Sequence, residues 1–365
     1  MPDIKLIHLE KNNYRVPTLK HHKFIGIDTE FMREKTFFAQ LCLIQIATKK
    51  KIFIIDPIDA KNLDRLWKTL SHSTWILHAA RQDIEVIYQS SRKMPNKIFD
   101  TQIAAGILGF TPQIGYSTLV EELFGVMLQK SQTRANWTKR PMSRSMINYA
   151  AEDVEYLIPI YEVLRKKLED SNRLDWAWED SAGLLESSLY DPNPNAAIEK
   201  IKAAKYLTGK ARSAAVALAT WREQYSREKN RPKQWILKDS VLMEIAASNP
   251  AHPIDLSKIP GAPSSFSKHL SGDILEIIKK SQHKKNNYTP PARHTEEQKM
   301  ILKEMSKRVE QKALNLKIYP EILCSKKELL AIGLGENNSR VFNGWRKKII
   351  GEELLKITLN IPKQS

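Results

Sequence analysis

Apolar positions along this chain follow two rhythms, one before about residue 170 and another after residue 200. In the first part, short runs rich in β-branched residues alternate with stretches of helical spacing. Phe24-Ile25-Gly26-Ile27-Asp28 is a run of the first kind. Residues 41–47 and 51–55 form two more, and the polar Thr48-Lys49-Lys50 between them suits a tight hairpin. Leu63, Leu66, Trp67 and Leu70 recur at helical period, Trp75-Ile76-Leu77 reads as a strand, and Ile84, Val86 and Ile87 mark a helix over 83–88. Further helices are predicted over 101–108, 117–124 and 143–168. A three-strand meander followed by strand–helix units describes an α/β domain: a mixed sheet with helices packed on it.

The turn-rich Asp191-Pro192-Asn193-Pro194-Asn195 breaks this pattern and reads as a linker. From 200 to 282 the apolar repeats are helical, with a long amphipathic helix over 203–225 and shorter ones over 242–247 and 274–278. The polar, proline-bearing stretch 282–293 forms a second linker. Residues 295–358 repeat the coarse pattern of one long helix and several short ones, although no exact repeat is visible. The expected organisation is an α/β domain over 1–190 and two all-α domains over 200–282 and 294–365.

Charge sharpens this picture. Fifty-eight Lys and Arg against 41 Asp and Glu leave a formal charge of +17. The excess is uneven, with 25 basic against 19 acidic residues up to position 170 and 33 against 22 beyond it. A polyanionic partner fits such a balance, and a basic surface that only aids solubility is the competing account. Two cysteines, Cys42 in an apolar run and Cys324 far from it, give neither a disulfide framework nor a thiolate metal site. No apolar leader and no run long enough to span a bilayer is present, so the cytoplasm is the expected compartment.

Against this basic background a few acids stand in patterned places. Asp28-Thr29-Glu30 ends the first strand of the meander. Residues two apart on a strand share a face, so both carboxylates project together, an arrangement that invites a hard divalent cation. Tyr149 and Asp153, at i and i+4, lie on one face of a predicted helix. Asp83 opens the helix after the Trp75–Leu77 strand, where the helix dipole favours an acid. Each feature alone is common at polar strand ends and helix starts.

Their order and surroundings resemble a known family. Asp28-x-Glu30, Asp83 and Tyr149-x-x-x-Asp153 are similar to the motifs of the DEDD-type 3′–5′ exonucleases, in the branch with a tyrosine in the third motif. The flanking stretches narrow the resemblance to the ribonuclease D family. They are Asp28-Thr29-Glu30-Phe31-Met32-Arg33, Thr36-Phe37-Phe38-Ala39-Gln40-Leu41-Cys42-Leu43-Ile44-Gln45, His78-Ala79-Ala80-Arg81-Gln82-Asp83, Asp100-Thr101-Gln102 and Arg134-Ala135-Asn136-Trp137-Thr138-Lys139-Arg140-Pro141. The dense part of the resemblance covers about residues 20 to 170. Beyond 200 it is looser, resting on Ala219-Thr220-Trp221-Arg222 and Leu242-Met243-Glu244-Ile245-Ala246. The resemblance implies a ribonuclease H-like exonuclease domain, an HRDC-like helical domain and a degenerate second copy of the latter.

It also implies a chemistry. Two divalent cations about 3.5–4 Å apart, Mg²⁺ or Mn²⁺ by the oxygen ligands on offer, serve phosphodiester hydrolysis. Asp28, Glu30, Asp83 and Asp153 would be their ligands, with Asp28 bridging, and Tyr149 would orient the attacking water. Thr29, Phe31, His78, Arg134, Trp137 and Arg140 are candidates for contacts with the 3′ end of RNA, since arginines suit phosphates and aromatics stack on bases. A core position for Trp137 and a structural part for His78 compete with those roles, and Asp100 reads as a helix N-cap. The C-terminal cations Lys200, Lys202, Lys205, Lys210, Arg212, Lys326, Lys327, Arg340, Arg346, Lys347 and Lys348 are expected to grip the body of a structured RNA such as a tRNA precursor. A monomer is the family-like state. The motif acids alone do not separate RNA from DNA as substrate, and a 3′–5′ DNA exonuclease is the alternative they leave.

Overall fold

The computed structural model describes residues 3–9, 16–19, 21–129, 135–262, 270–283, 287–290 and 295–358. They form two compact units. One comprises the described parts of Met1–Met32, Leu41–Glu186 and His294–Ser365; the other, of Arg33–Gln40 and Ser187–Arg293.

The first unit is built on a six-stranded sheet. Its strands are β1 (Asp3–His8), β2 (Phe24–Met32), β3 (Gln40–Ala47), β4 (Lys51–Asp56), β5 (Thr74–Leu77) and β6 (Ile98–Asp100), in the order β1-β4-β3-β2-β5-β6. β3 and β4 pair antiparallel with Ala47 opposite Ile52, which is the hairpin expected from Thr48-Lys49-Lys50. β2 and β5, β5 and β6, and β1 and β4 pair parallel. β1 is not apparent from apolar pattern, because its residues lie on an edge and Ile4 and Leu6 remain exposed. Helices α1 (Asp64–Leu70), α2 (Arg81–Ser91), α3 (Thr101–Ile107), α4 (Tyr116–Phe124), α5 (Arg144–Glu155), α6 (Leu157–Asp170) and α7 (Leu174–Gly183) complete the α/β part. Leu43, Ile54, Ile76 and Phe99 of the sheet pack with Ala150 and Val154 of α5 and Leu157, Tyr161 and Leu164 of α6 in one buried core.

The single helix expected over 143–168 is two helices, divided at Tyr156. Pro159 explains part of the division: it has no N–H for the Glu155 carbonyl and is tolerated only in the first turn of a helix, where it stands in α6. The Tyr116 hydroxyl supplies the rest. It accepts the Tyr156 N–H and donates to the Glu152 carbonyl, each at 3.0 Å.

Residues after 294 form α13 to α17, named here after the second unit's α8 (Gly209–Glu228), α9 (Lys233–Ile236), α10 (Asp239–Ser248), α11 (Pro253–Ser257) and α12 (Ser271–Ser281). They are α13 (Glu296–Leu316), α14 (Pro320–Leu323), α15 (Lys326–Gly333), α16 (Gly344–Arg346) and α17 (Glu352–Thr358), with a small core of Met305, Val309, Leu323, Ile332, Val341 and Leu354. This segment docks on α7 through a stacked pair, Trp176 and Trp345, whose rings lie 4.2 Å apart at 4°.

The second unit has its own core of Leu218, Leu237, Leu242, Ile245, Ile274 and Ile278. Its long helix begins at Gly209 and not at 203, because Lys202–Tyr206 is a 3₁₀ turn held by Arg212, whose Nη1 donates to the Ala204 carbonyl at 2.7 Å. The loop after β2 belongs here: the Phe37 and Phe38 amides both donate to Asn230 Oδ1, at 3.1 and 3.0 Å.

Candidate active site

β2 and α5 deliver the acids. The two-residue period of β2 puts Asp28 and Glu30 on one side of the strand near its C-terminal end. α5 starts at Ser143, whose Oγ accepts the Met146 N–H at 3.3 Å, and buries Met146, Ala150, Ala151 and Val154 against the sheet. That burial turns Tyr149 and Asp153 toward β2. Carboxylate oxygens of Asp28, Glu30 and Asp153 all lie within 4.8 Å of one another. The Tyr149 phenol donates to the Asp153 carboxylate. Asp83, in the first turn of α2, is tied to the intervening Thr29: its Oδ1 accepts the Thr29 hydroxyl at 2.6 Å and the Thr29 N–H at 3.1 Å.

Among the described residues, the charges that dominate this cluster are those of other carboxylates. Burial, then the carboxylates of Asp83, Asp153 and Glu30, hold the Asp28 carboxyl well above the usual range. Burial, then Asp153 and Asp83, push Glu30 up to about 9. Asp153 rises to about 7 through burial and its neighbour Glu152, against the pull of the Tyr149 hydrogen bond. Asp83 also rises to about 7, because burial outweighs its bonds from Thr29. Carboxylates this close favour either protons or a hard cation between them, and an all-oxygen donor set fits Mg²⁺ or Mn²⁺.

The structure sets several other expected contacts elsewhere. Arg140 is not a phosphate contact, because all five of its N–H groups are spent within the chain. Nε and Nη2 donate to Asp56 at 2.6 and 2.7 Å, Nη2 also to the Cys42 carbonyl at 2.9 Å, and Nη1 to the carbonyls of Trp137 and Lys139 at 2.8 and 2.9 Å. Trp137 is 3% exposed and packs against Tyr149, so it is a core residue and not a stacking platform. His78 turns Nε2 to the Ile114 carbonyl at 2.8 Å and Nδ1 to the Thr101 hydroxyl at 2.9 Å, and burial lowers its pKa, so it is a structural histidine. Thr29 is buried against Asp83, Phe31 is half-buried beside the acids on β2, and Arg134 lies outside the described residues.

The C-terminal cations divide by residue type. All eight lysines are exposed. Arg212 and Arg346 are buried, Arg346 in a two-pronged pair with Asp180, and Arg340 is paired with Glu328, so these three brace helices. Asp100 does more than cap. Besides the α3 amides of Gln102 and Ile103, its carboxylate accepts the N–H groups of Ala79 and Ala80 at 3.2 and 2.8 Å, which fixes the turn into α2 and hence Asp83. A partner 20 residues upstream leaves no local signal in the sequence.

A mixed sheet with this carboxylate cluster at its centre defines a 3′–5′ exonuclease of the kind that works with divalent metal ions. Residues 10–169 match the family described as 3′–5′ exonuclease, and residues 212–278 match the HRDC domain. The chain is 35% identical over 362 residues to ribonuclease D of Bartonella henselae, covering 93% of this chain and 86% of that protein. To ribonuclease D of Xanthomonas oryzae it is 31% identical, covering 91% and 92%. The crystal structure of Escherichia coli RNase D, described as an exoribonuclease involved in structured RNA processing, superposes with a TM-score of 0.87 at 26% identity over 96% of this chain and 100% of that one. The chain belongs to the ribonuclease D family of hydrolytic 3′–5′ exoribonucleases. Among the described residues no helix is long and apolar enough to cross a membrane.

Proposed function

We propose that this enzyme shortens structured RNAs, tRNA precursors among them, from a free 3′ end and releases 5′-mononucleotides at a pair of divalent cations, Mg²⁺ or Mn²⁺. The observation that carries the reading is the meeting of Asp28, Glu30 and Asp153 within 4.8 Å. Asp28, Glu30, Asp83 and Asp153 would hold the pair. Bound there, the cations lower the pKa of water and offset the negative charge that builds on the phosphate in the transition state. The chain's own groups do the positioning. Thr29 fixes one oxygen of Asp83, and Asp153 fixes the Tyr149 phenol. That phenol orients the attacking water without acting as the base. Phe31 offers an apolar face to the terminal nucleotide. The exposed lysines at 200, 202, 205, 210, 326, 327, 347 and 348 hold the RNA body by its phosphates. The same reading has the enzyme act as a monomer in the cytoplasm.

Incubation of a 3′-extended tRNA and a circular RNA, with and without EDTA, tests it. Stepwise shortening of the linear RNA alone, abolished by chelation, is the expected result. Cutting of the circle, or activity indifferent to EDTA, would overturn the reading.

A further inference from the structure

The junction of α5 and α6 is held by a side chain that belongs to neither helix. Tyr116 opens α4, and its hydroxyl stands where the ladder bond from Tyr156 to Glu152 would close, bonded to both groups at 3.0 Å. A side chain inserted into the ladder in this way ends or redirects a helix. The residue beside the intercepted carbonyl is Asp153, and Tyr149 lies one turn earlier on the same helix. The insertion is braced from behind. The Tyr116 ring meets the His78 ring edge-on with centroids 5.7 Å apart. The Ile114 carbonyl, two residues before Tyr116, receives His78 Nε2 at 2.8 Å and Gln102 Nε2 at 2.9 Å, which ties this turn to β5 and α3.

We propose that Tyr116 is a positioning residue for the reaction: its hydroxyl replaces one ladder bond, sets where α5 ends, and so places the Asp153 carboxylate against Asp28 and Glu30. Pro159 has no N–H to offer the Glu155 carbonyl, so the junction lacks that ladder bond as well. Without the hydroxyl, the Glu152 carbonyl and the Tyr156 N–H are either left unpaired or close on each other and carry α5 onward, and both outcomes shift Asp153. Burial, and after it the charges of Asp153 and Asp28, keep the phenol protonated, as a donor to Glu152 must be. The inference rests on the reading of these acids as a metal centre.

Tyr116→Phe keeps the ring against His78 and removes only the hydroxyl. Mn²⁺ binding measured by calorimetry is expected to weaken about tenfold, as when groups that orient metal ligands are lost. On a 3′-extended RNA, kcat is expected to fall about tenfold, with KM unchanged and a single cooperative thermal transition retained. Mn²⁺ affinity and kcat both within twofold of wild type would overturn the inference. So would a change in KM alone, which marks an RNA contact, or loss of the cooperative transition, which marks a prop of the fold. A wild-type protein that binds no Mn²⁺ sinks the metal centre itself, whereas normal Mn²⁺ binding by both proteins sinks only the part given to Tyr116.

Discussion

Two places in the first unit gather acidic side chains, and they treat them in opposite ways. On α7, Asp180 accepts Arg346 Nη1 at 2.6 Å, Nη2 at 2.7 Å and Trp345 Nε1 at 3.0 Å, while Glu179 accepts the Trp345 N–H at 3.2 Å. Every oxygen there meets a donor, and the result is a joint between α7 and the C-terminal helices. Beside β2, the charges acting most strongly on Asp28, Glu30, Asp83 and Asp153 are those of other carboxylates. Acids given a guanidinium fasten a fold. Acids given mainly one another leave a place for a metal cation, and the fold accepts the repulsion to keep it.

Substitution at the two places should therefore move stability in opposite directions. Asp153→Asn or Glu30→Gln removes a ligand worth several kcal/mol to the transition state, so kcat should fall on the order of 10³-fold while RNA binding persists. In EDTA the same variants should melt higher than wild type at pH 8, because the fold no longer bears the cost of protonating or crowding that acid. Asp180→Asn does the reverse. It leaves the buried guanidinium of Arg346 without its counter-charge, a change that costs about 3–5 kcal/mol, while Mn²⁺ affinity stays as it was. Urea unfolding and calorimetry on the three variants give the comparison directly. A Glu30→Gln protein less stable in EDTA than wild type, or an Asp180→Asn protein as stable as wild type, would remove the distinction.

The sequence showed the acids more clearly than their neighbours, for a physical reason. Asp28 and Glu30 share a face by strand geometry, and Tyr149 and Asp153 share one by helix geometry, both fixed within five residues. Burial and pairing are settled at long range. Arg140 looks like a phosphate fork until its partner Asp56, 84 residues away, is seen to occupy it. Arg212 and Arg346 count as surface charge in any tally, yet one braces a turn and the other a joint. The division of α5 from α6 was half visible in Pro159, while its other cause, Tyr116, lies 40 residues before Tyr156. β1 has no apolar rhythm to read, because an exposed edge strand has no buried face to give it a pattern.

A smaller effect separates ligands from the group that orients water. Tyr149→Phe leaves the four carboxylates in place and removes one hydroxyl, so kcat should drop about 10- to 100-fold and not vanish. Mn²⁺ affinity should hold within a few fold. Loss of activity as complete as in Asp153→Asn would mean that the phenol does more than orient.

The smallest expected effect is on the pH dependence of stability, and its sign follows from the direction in which the acids are shifted. Glu30 at about 9 and Asp83 and Asp153 at about 7 lie far above the carboxylate values of an unfolded chain. The folded state thus binds more protons than the unfolded one between those limits. Their contribution to stability is fully present below about pH 4 and is lost as pH rises through 7 toward 9. In EDTA the protein should therefore melt lower at pH 8 than at pH 6. Divalent cations compete with those protons for the same oxygens, so the increment in melting temperature produced by Mg²⁺ or Mn²⁺ should be larger at pH 8 than at pH 6. The joint at Asp180 has no part in this exchange, and Asp180→Asn should lower both curves without changing the gap between them. A metal increment that is flat with pH in wild type would mean that the four acids do not share one cation site.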